Sequence, residues 1–330
     1  MKRLLVVLMV MAVTTPFAAA APPTIGEMLH SVPVGAQAVI AVDSAALRTH
    51  PKVQEWLLRH QSWTGADQDL RRFLSDAGLD PVRDVDAMVV AVLRDGGETG
   101  AVALFSGRYD PDSLAVALVK QGAQPFTLGA HRAYRLPSSD HHSDETAVLV
   151  QPSPELVIVG EGSAVQAAIA PPHAVIPLIE SEIAAGHIDP RAPFWVVAVV
   201  PAEAREKAGE VSEHVHGEGS ESVRSVVFAS GAVQRVAGQA FLDESLRFSG
   251  VAVADTSENA ELLRDAVKGA IAAARLHAQG QAPELVNVLR EIVVRVAGTD
   301  LSVSGAVPLA LLEKLAAEHK PCLSGAKPQL

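Results

Sequence analysis

The chain has 330 residues, 48% of them hydrophobic and 20% charged, which is enough to bury the core of one large or two medium domains and too apolar for a disordered chain. A net charge of −11, from 27 Lys and Arg against 38 Asp and Glu, offers no cationic face to a phosphate backbone and argues against nucleic acid as a partner. Aromatic residues, at 4%, are too few for a sugar-stacking groove or a base-stacking platform.

Lys2 and Arg3 precede an apolar run from Leu4 to Val13, and Ala18 to Ala21 close the segment. Residues 1–20 therefore read as a cleaved secretory signal, cut after Ala20, because a cut after Ala21 would set Pro22 directly beyond the scissile bond. The apolar run is ten residues, and a bilayer span needs about 20. No Cys near the cut could accept a lipid, and no later apolar run is long enough to span, so the expected product is a soluble periplasmic or secreted protein. Removing residues 1–20 takes away two positive charges, so the mature charge is −11 − 2 = −13. The one Cys, Cys322, lies in a polar tail at 320–330, so no intrachain disulfide can form and packing must hold the fold.

Ala36 to Val42 is a short apolar strand bounded by Gly35 and Asp43, and Leu47, Val53, Trp56 and Leu57 continue at helical spacing with Pro51 splitting the segment. Apolar runs at 87–93 and 101–105 flank a turn of Asp and Gly, which predicts a hairpin. Asp110 is placed to cap a helix from Pro111 to about Lys120. Short strands follow around 125–135, 146–150 and 155–160, then a helix over 162–169 stopped by Pro171 and Pro172. Beyond 171 the order repeats. A strand running into a helix at 196–204 corresponds to 39–47. Asp255, before a long helix at 257–278, corresponds to Asp110, and Leu301–Leu315 corresponds to Leu156–Ile169. The last two correspondences share an offset of 145 residues (255 − 110 and 301 − 156), which points to duplication. Between them, 222–255 reads as three antiparallel strands with turns near Gln234 and Glu244. The long helix carries Leu262, Leu263, Ala266, Val267, Ala270 and Ile271 as its apolar stripe. The expected fold is α+β, in two related halves (21–171 and 172–319), each a mainly antiparallel sheet packed with helices.

The opening VPVGAQAVIAVDSAALRTHP, the segment AGLDPVRDVDAMVVAV and the stretch FSGRYDPDSLAVAL resemble a group of exported bacterial proteins of unknown function. They share an opening Pro, an apolar strand ending in Asp, and a Gly-Arg-aromatic-Asp turn. The resemblance implies no catalytic residue.

Candidate chemistry is sparse. Gly160 to Val165 (GEGSAV) follows a strand and opens a helix as a dinucleotide fingerprint would. Val165, however, occupies the third small position, where its branched Cβ obstructs close helix–strand approach, so no cofactor is expected. Two clusters join His to carboxylates, Asp140-His141-His142 with Asp144 and Glu145, and Glu213-His214 with His216, Glu218 and Glu221. Imidazole with carboxylate suits zinc, copper or nickel, but both clusters lie in Ser- and Gly-rich stretches that read as solvated loops, which leaves His141, His142, His214 and His216 as weak metal candidates. No HExxH and no G-x-S-x-G is present; Ser106 and Ser163 read as turn residues, Asp84 and Asp86 as a strand entry, and Arg108 with Asp110 as a contact shaping a turn. The sequence thus favours a non-enzymatic binding or interaction protein of the cell envelope, taking an envelope protein or a small apolar ligand. An envelope metal-binding module and a hydrolase are the two other readings.

Overall fold

The computed structural model describes residues 21–59, 68–95, 98–137, 147–170, 174–206, 231–280 and 282–318. It confirms the α+β class. The expected signal, both His-rich clusters, Pro171 and Pro172 and the Cys322 tail lie outside the described residues, as do 222–230 of the expected three-stranded segment.

Among the described residues twelve strands form one antiparallel sheet. They are β1 Ala36–Asp43, β2 Val85–Asp95, β3 Glu98–Gly107, β4 Gln124–Leu128, β5 His131–Arg135, β6 Ala147–Ser153, β7 Leu156–Glu161, β8 Phe194–Val199, β9 Val233–Leu242, β10 Ser245–Ala254, β11 Val293–Ala297 and β12 Asp300–Pro308. Their order across the sheet is β11-β12-β10-β9-β8-β1-β2-β3-β7-β6-β5-β4. Where the sequence reading expected a sheet in each half, the structure has one continuous sheet, because β1 and β8 pair antiparallel from Ala38↔Ala198 to Val42↔Phe194. Outward from this seam the neighbours run β1-β2-β3-β7-β6 on one side and β8-β9-β10-β12-β11 on the other, with the β4–β5 hairpin added to the first.

Among the described residues the helices are α1 Ile25–Met28, α2 Ser44–Thr49, α3 Pro51–Arg59, α4 Gln68–Asp76, α5 Pro81–Asp84, α6 Pro111–Lys120, α7 Gly162–Ala168, α8 Pro177–Ala184, α9 over 202–206, α10 Ser257–Gln279, α11 Pro283–Glu291 and α12 Leu309–Glu318. Pro51 splits α2 from α3 as expected, since it cannot donate the helical N–H but suits the first turn of a new helix. Asp110 caps α6 through the Asp112 N–H. At the other long helix the cap is Thr256, whose hydroxyl takes the Asn259 N–H at 3.1 Å, while Asp255 bonds the Asn259 side chain.

One sheet face carries Val39, Val89, Leu104, Ile158 and Trp195, all essentially without solvent contact, under Met28 of α1, Val165 of α7 and Ile179 of α8. The opposite face is covered at two places. α4 and α6 pack on Tyr134, Leu149 and Val157, and α10 lays Ala260, Leu263 and Ala266 on Ala254, Leu301 and Val294. Each large apolar side chain so buried contributes about 1.5–3 kcal/mol. Two glycines permit the tight strand contacts. A Cβ on Gly107 would lie 2.0 Å from the Asp84 carbonyl oxygen, and one on Gly160 would lie 2.3 Å from that of Ala101.

Two details differ from the sequence reading. The turn placed near Gln234 lies at 231–232, and β9 runs straight through Gln234. Leu262 of the expected apolar stripe is 51% exposed; the buried positions of α10 are Ala260, Leu263, Ala266 and Ala278. The five-residue β11 and the short helices α1, α5, α8 and α11 did not emerge from periodicity. The helices are shorter than the window of about 11 residues in which a 3.6-residue period shows, and VVRVA in β11 does not alternate apolar with polar residues.

Candidate functional site

Of the residues singled out for chemistry, His141, His142, His214 and His216 lie outside the described residues, and those described, Ser163 apart, are used for structure. Gly160 and Val165 stand where strand β7 meets β3 and where α7 enters the core, and Val165 has no exposed surface. Ser106 is fully buried and donates to the Pro23 carbonyl at 2.5 Å. Asp84 and Asp86 point to different partners. Asp84 accepts the Asp80 N–H at 2.8 Å and the Arg83 guanidinium, whose hydrogen bond holds its carboxyl below the usual range, while Asp86 pairs with Arg48. Arg48 also donates to the Val82 and Val85 carbonyls, fastening α2 to the start of β2. The expected Arg108–Asp110 contact is replaced, because the Asp110 carboxylate takes the Asp112 N–H at 3.3 Å and the Ser113 hydroxyl at 2.5 Å, and Arg108 is exposed. Between them Tyr109 is only 7% exposed, and burial raises its phenol above the ordinary value.

Sequence reading missed a charged network at the β8–β9 side of the seam. Glu182 of α8 is 2% exposed, accepts from His187 Nδ1 at 2.5 Å, and pairs with Arg235 of β9 at 3.1 Å. The other ring nitrogen of His187 stands 3.5 Å from Asp300, at the start of β12. The Asp189 N–H donates to Gln239 of β9 at 2.5 Å, and the Gln239 amide donates to Ser249 of β10. One signal for this network lay in the sequence. Ile179, Glu182 and Ile183 fall at helical spacing, which puts a lone carboxylate on an apolar stripe.

A cleft of about 500 Å³ lies between α11 and α12. Pro283 starts α11 and Val286 and Val288 bury it against the sheet; Pro308 ends β12 and turns the chain into α12, which anchors through Leu311. Buried Val288 and Leu311 form the cleft floor, Pro308 and Ala310 are exposed at its mouth, and Glu284, Asn287, Glu291 and Lys314 line its rim. Glu284 and Lys314 pair across the rim at 2.8 Å with both side chains about half exposed, a contact worth under about 1 kcal/mol. An apolar floor under a few polar groups suits a small apolar molecule, and the volume falls in the range of small-ligand sites. Among the described residues no helix is long and apolar enough to cross a membrane, and no three His, Cys, Asp or Glu gather as a metal cluster.

No family model and no curated protein matches the chain. Among solved structures it is similar to TP0453. Crystal form I gives a TM-score of 0.46 at 10% identity, covering 88% of this chain and 96% of that one. Crystal form III gives 0.46 at 10% identity, covering 91% and 99%. A likeness at that identity and score says nothing of what this chain does.

Proposed function

We propose that the protein is an exported, non-enzymatic binding protein of the cell envelope that holds a small apolar ligand in the α11–α12 cleft. The basic n-region, apolar run and alanines of residues 1–20 support export. The observation that carries the binding reading is the cleft itself, about 500 Å³ over Val288 and Leu311. Ala310, exposed at its mouth, is the position to fill. Titrating the protein with the neutral fluorophore N-phenyl-1-naphthylamine should give saturable binding that Ala310→Trp weakens about tenfold or more, as expected when a ligand loses a shaped apolar pocket. Equal binding by the two proteins would remove the cleft, and a turnover lost on changing a cleft residue would remove the non-enzymatic reading.

We infer further that 21–171 and 172–319 descend from one duplicated unit. The 145-residue offset and the matching strand orders on either side of the β1–β8 seam support it.

A further inference from the structure

A sheet with two ends must protect both from unwanted pairing. At one end β4 carries Pro125, which has no N–H to offer, and Phe126 of the same strand is covered by the Arg135 guanidinium at 4.7 Å. The other end, β11, reads Val293-Val294-Arg295-Val296-Ala297 without a proline, and among the described residues β12 is its one strand neighbour. Val293, Arg295 and Ala297 are exposed, Val293 at 40%, while Val294 and Val296 turn toward α10. β11 is therefore an accessible strand edge.

Beside it lies a cavity of about 270 Å³ between α10 and the start of β11, with Ile271, Ile292 and Val294 as its apolar part and Lys268 and Arg275 as its charged part. Arg275 is fixed there by donating to the Leu289 carbonyl. Lys268 and Arg295 have no ion-pair partner among the described residues. Lys268 and Arg275 thus stand on the α10 face of this edge and Arg295 on the opposite face, in a chain whose net charge is −11.

We propose that β11 takes an extended acidic segment of a partner protein by strand addition, with an apolar side chain of that segment seated among Ile271, Ile292 and Val294. Main-chain hydrogen bonds to the edge would hold such a segment, and the cavity and cations would select it. Side chains alternate across a strand. Residues opposite Arg295 would carry carboxylates, and those between them, facing α10, would be apolar. A second copy of this chain is the poorer occupant, because full-length antiparallel pairing of β11 with itself sets Arg295 directly against Arg295. The site is independent of the α11–α12 cleft.

The test uses the full chain and a fluorescein-labelled, end-blocked peptide of alternating Glu and Val, seven residues long, read by anisotropy. Saturable binding is expected, weakened about tenfold by Arg295→Glu, which should come to prefer the Lys and Val analogue. Arg295 is exposed, so this change should not unfold the protein, and circular dichroism checks that. Ala310→Trp, in the cleft, should leave peptide binding unchanged. Equal affinity of the wild-type protein for the Glu and Lys peptides, or indifference to Arg295→Glu, would overturn the proposal. A concentration-dependent dimer that the peptide does not dissociate would assign the edge to a second copy and overturn it equally.

Discussion

Replacing Glu182 with Ala removes the acceptor that joins α8 to the sheet. At Oε2 it ends the 2.5 Å bond from His187, whose side chain is 14% exposed, and at Oε1 the 3.1 Å pair with Arg235, which is 38% exposed. A hydrogen bond to a buried charged group is worth about 1.5–3 kcal/mol, and that range applies to His187. Arg235 can rehydrate, so its share is held to about 1 kcal/mol at most. The hole left by the side chain adds about 1 kcal/mol, and part of the sum returns because a carboxylate need no longer be desolvated. The expected net loss is roughly 2–4 kcal/mol, or roughly 5–10 °C in Tm. Urea and thermal unfolding followed by circular dichroism measure it. A cycle with Arg235→Ala should show that single change costing about 1 kcal/mol or less, with a coupling no larger. If Glu182→Ala stays within about 0.5 kcal/mol of the parent, the network is not what fastens α8, and the reasoning fails.

Gly107→Ala should destabilise by about 1–3 kcal/mol or more, read as a lower urea midpoint, because the new Cβ meets the Asp84 carbonyl at 2.0 Å and backbone rather than a flexible side chain must yield. Asp189 has its carboxyl held down to about 2 by the Arg191 guanidinium and N–H. A depressed folded value contributes stability that is present above the unfolded value of about 4 and lost as pH falls through about 2. Asp189→Asn should therefore lower the urea midpoint at pH 7, with the difference from the parent narrowing between pH 4 and 2; a constant difference across that range would contradict the assignment.

What could be read from the sequence was whatever rests on local chemistry. The hairpin of β2 and β3 showed because two apolar runs flank Asp and Gly, the α6 cap because Asp110 precedes Pro111, and the break at Pro51 because proline cannot continue a helix. The α11–α12 cleft did not show, since Val288 and Leu311 are ordinary core residues until Pro308 turns β12 into α12 beside α11. Arg295 and Lys268 are likewise plain surface charges until the order of strands puts β11 at the end of the sheet. The Glu182 network lay between these cases. The misplaced carboxylate was visible on its stripe, but its partners, Arg235 and the neighbouring Asp300, come from strands 53 (235 − 182) and 118 (300 − 182) residues further on.

The β1–β8 seam has a consequence in time. Its rungs join residues 152 to 160 apart (194 − 42 and 198 − 38), so it is among the last contacts whose loop entropy can be met. Until β8 exists, β1 is paired to β2 alone and leaves Val39, Ile40 and Ala41 on an open edge. At roughly 5–20 residues per second, synthesis of the intervening chain leaves that edge open for on the order of 10–30 seconds. A chain built in this order depends on being kept unfolded or shielded until its middle is complete, and its most exposed moment falls during its making.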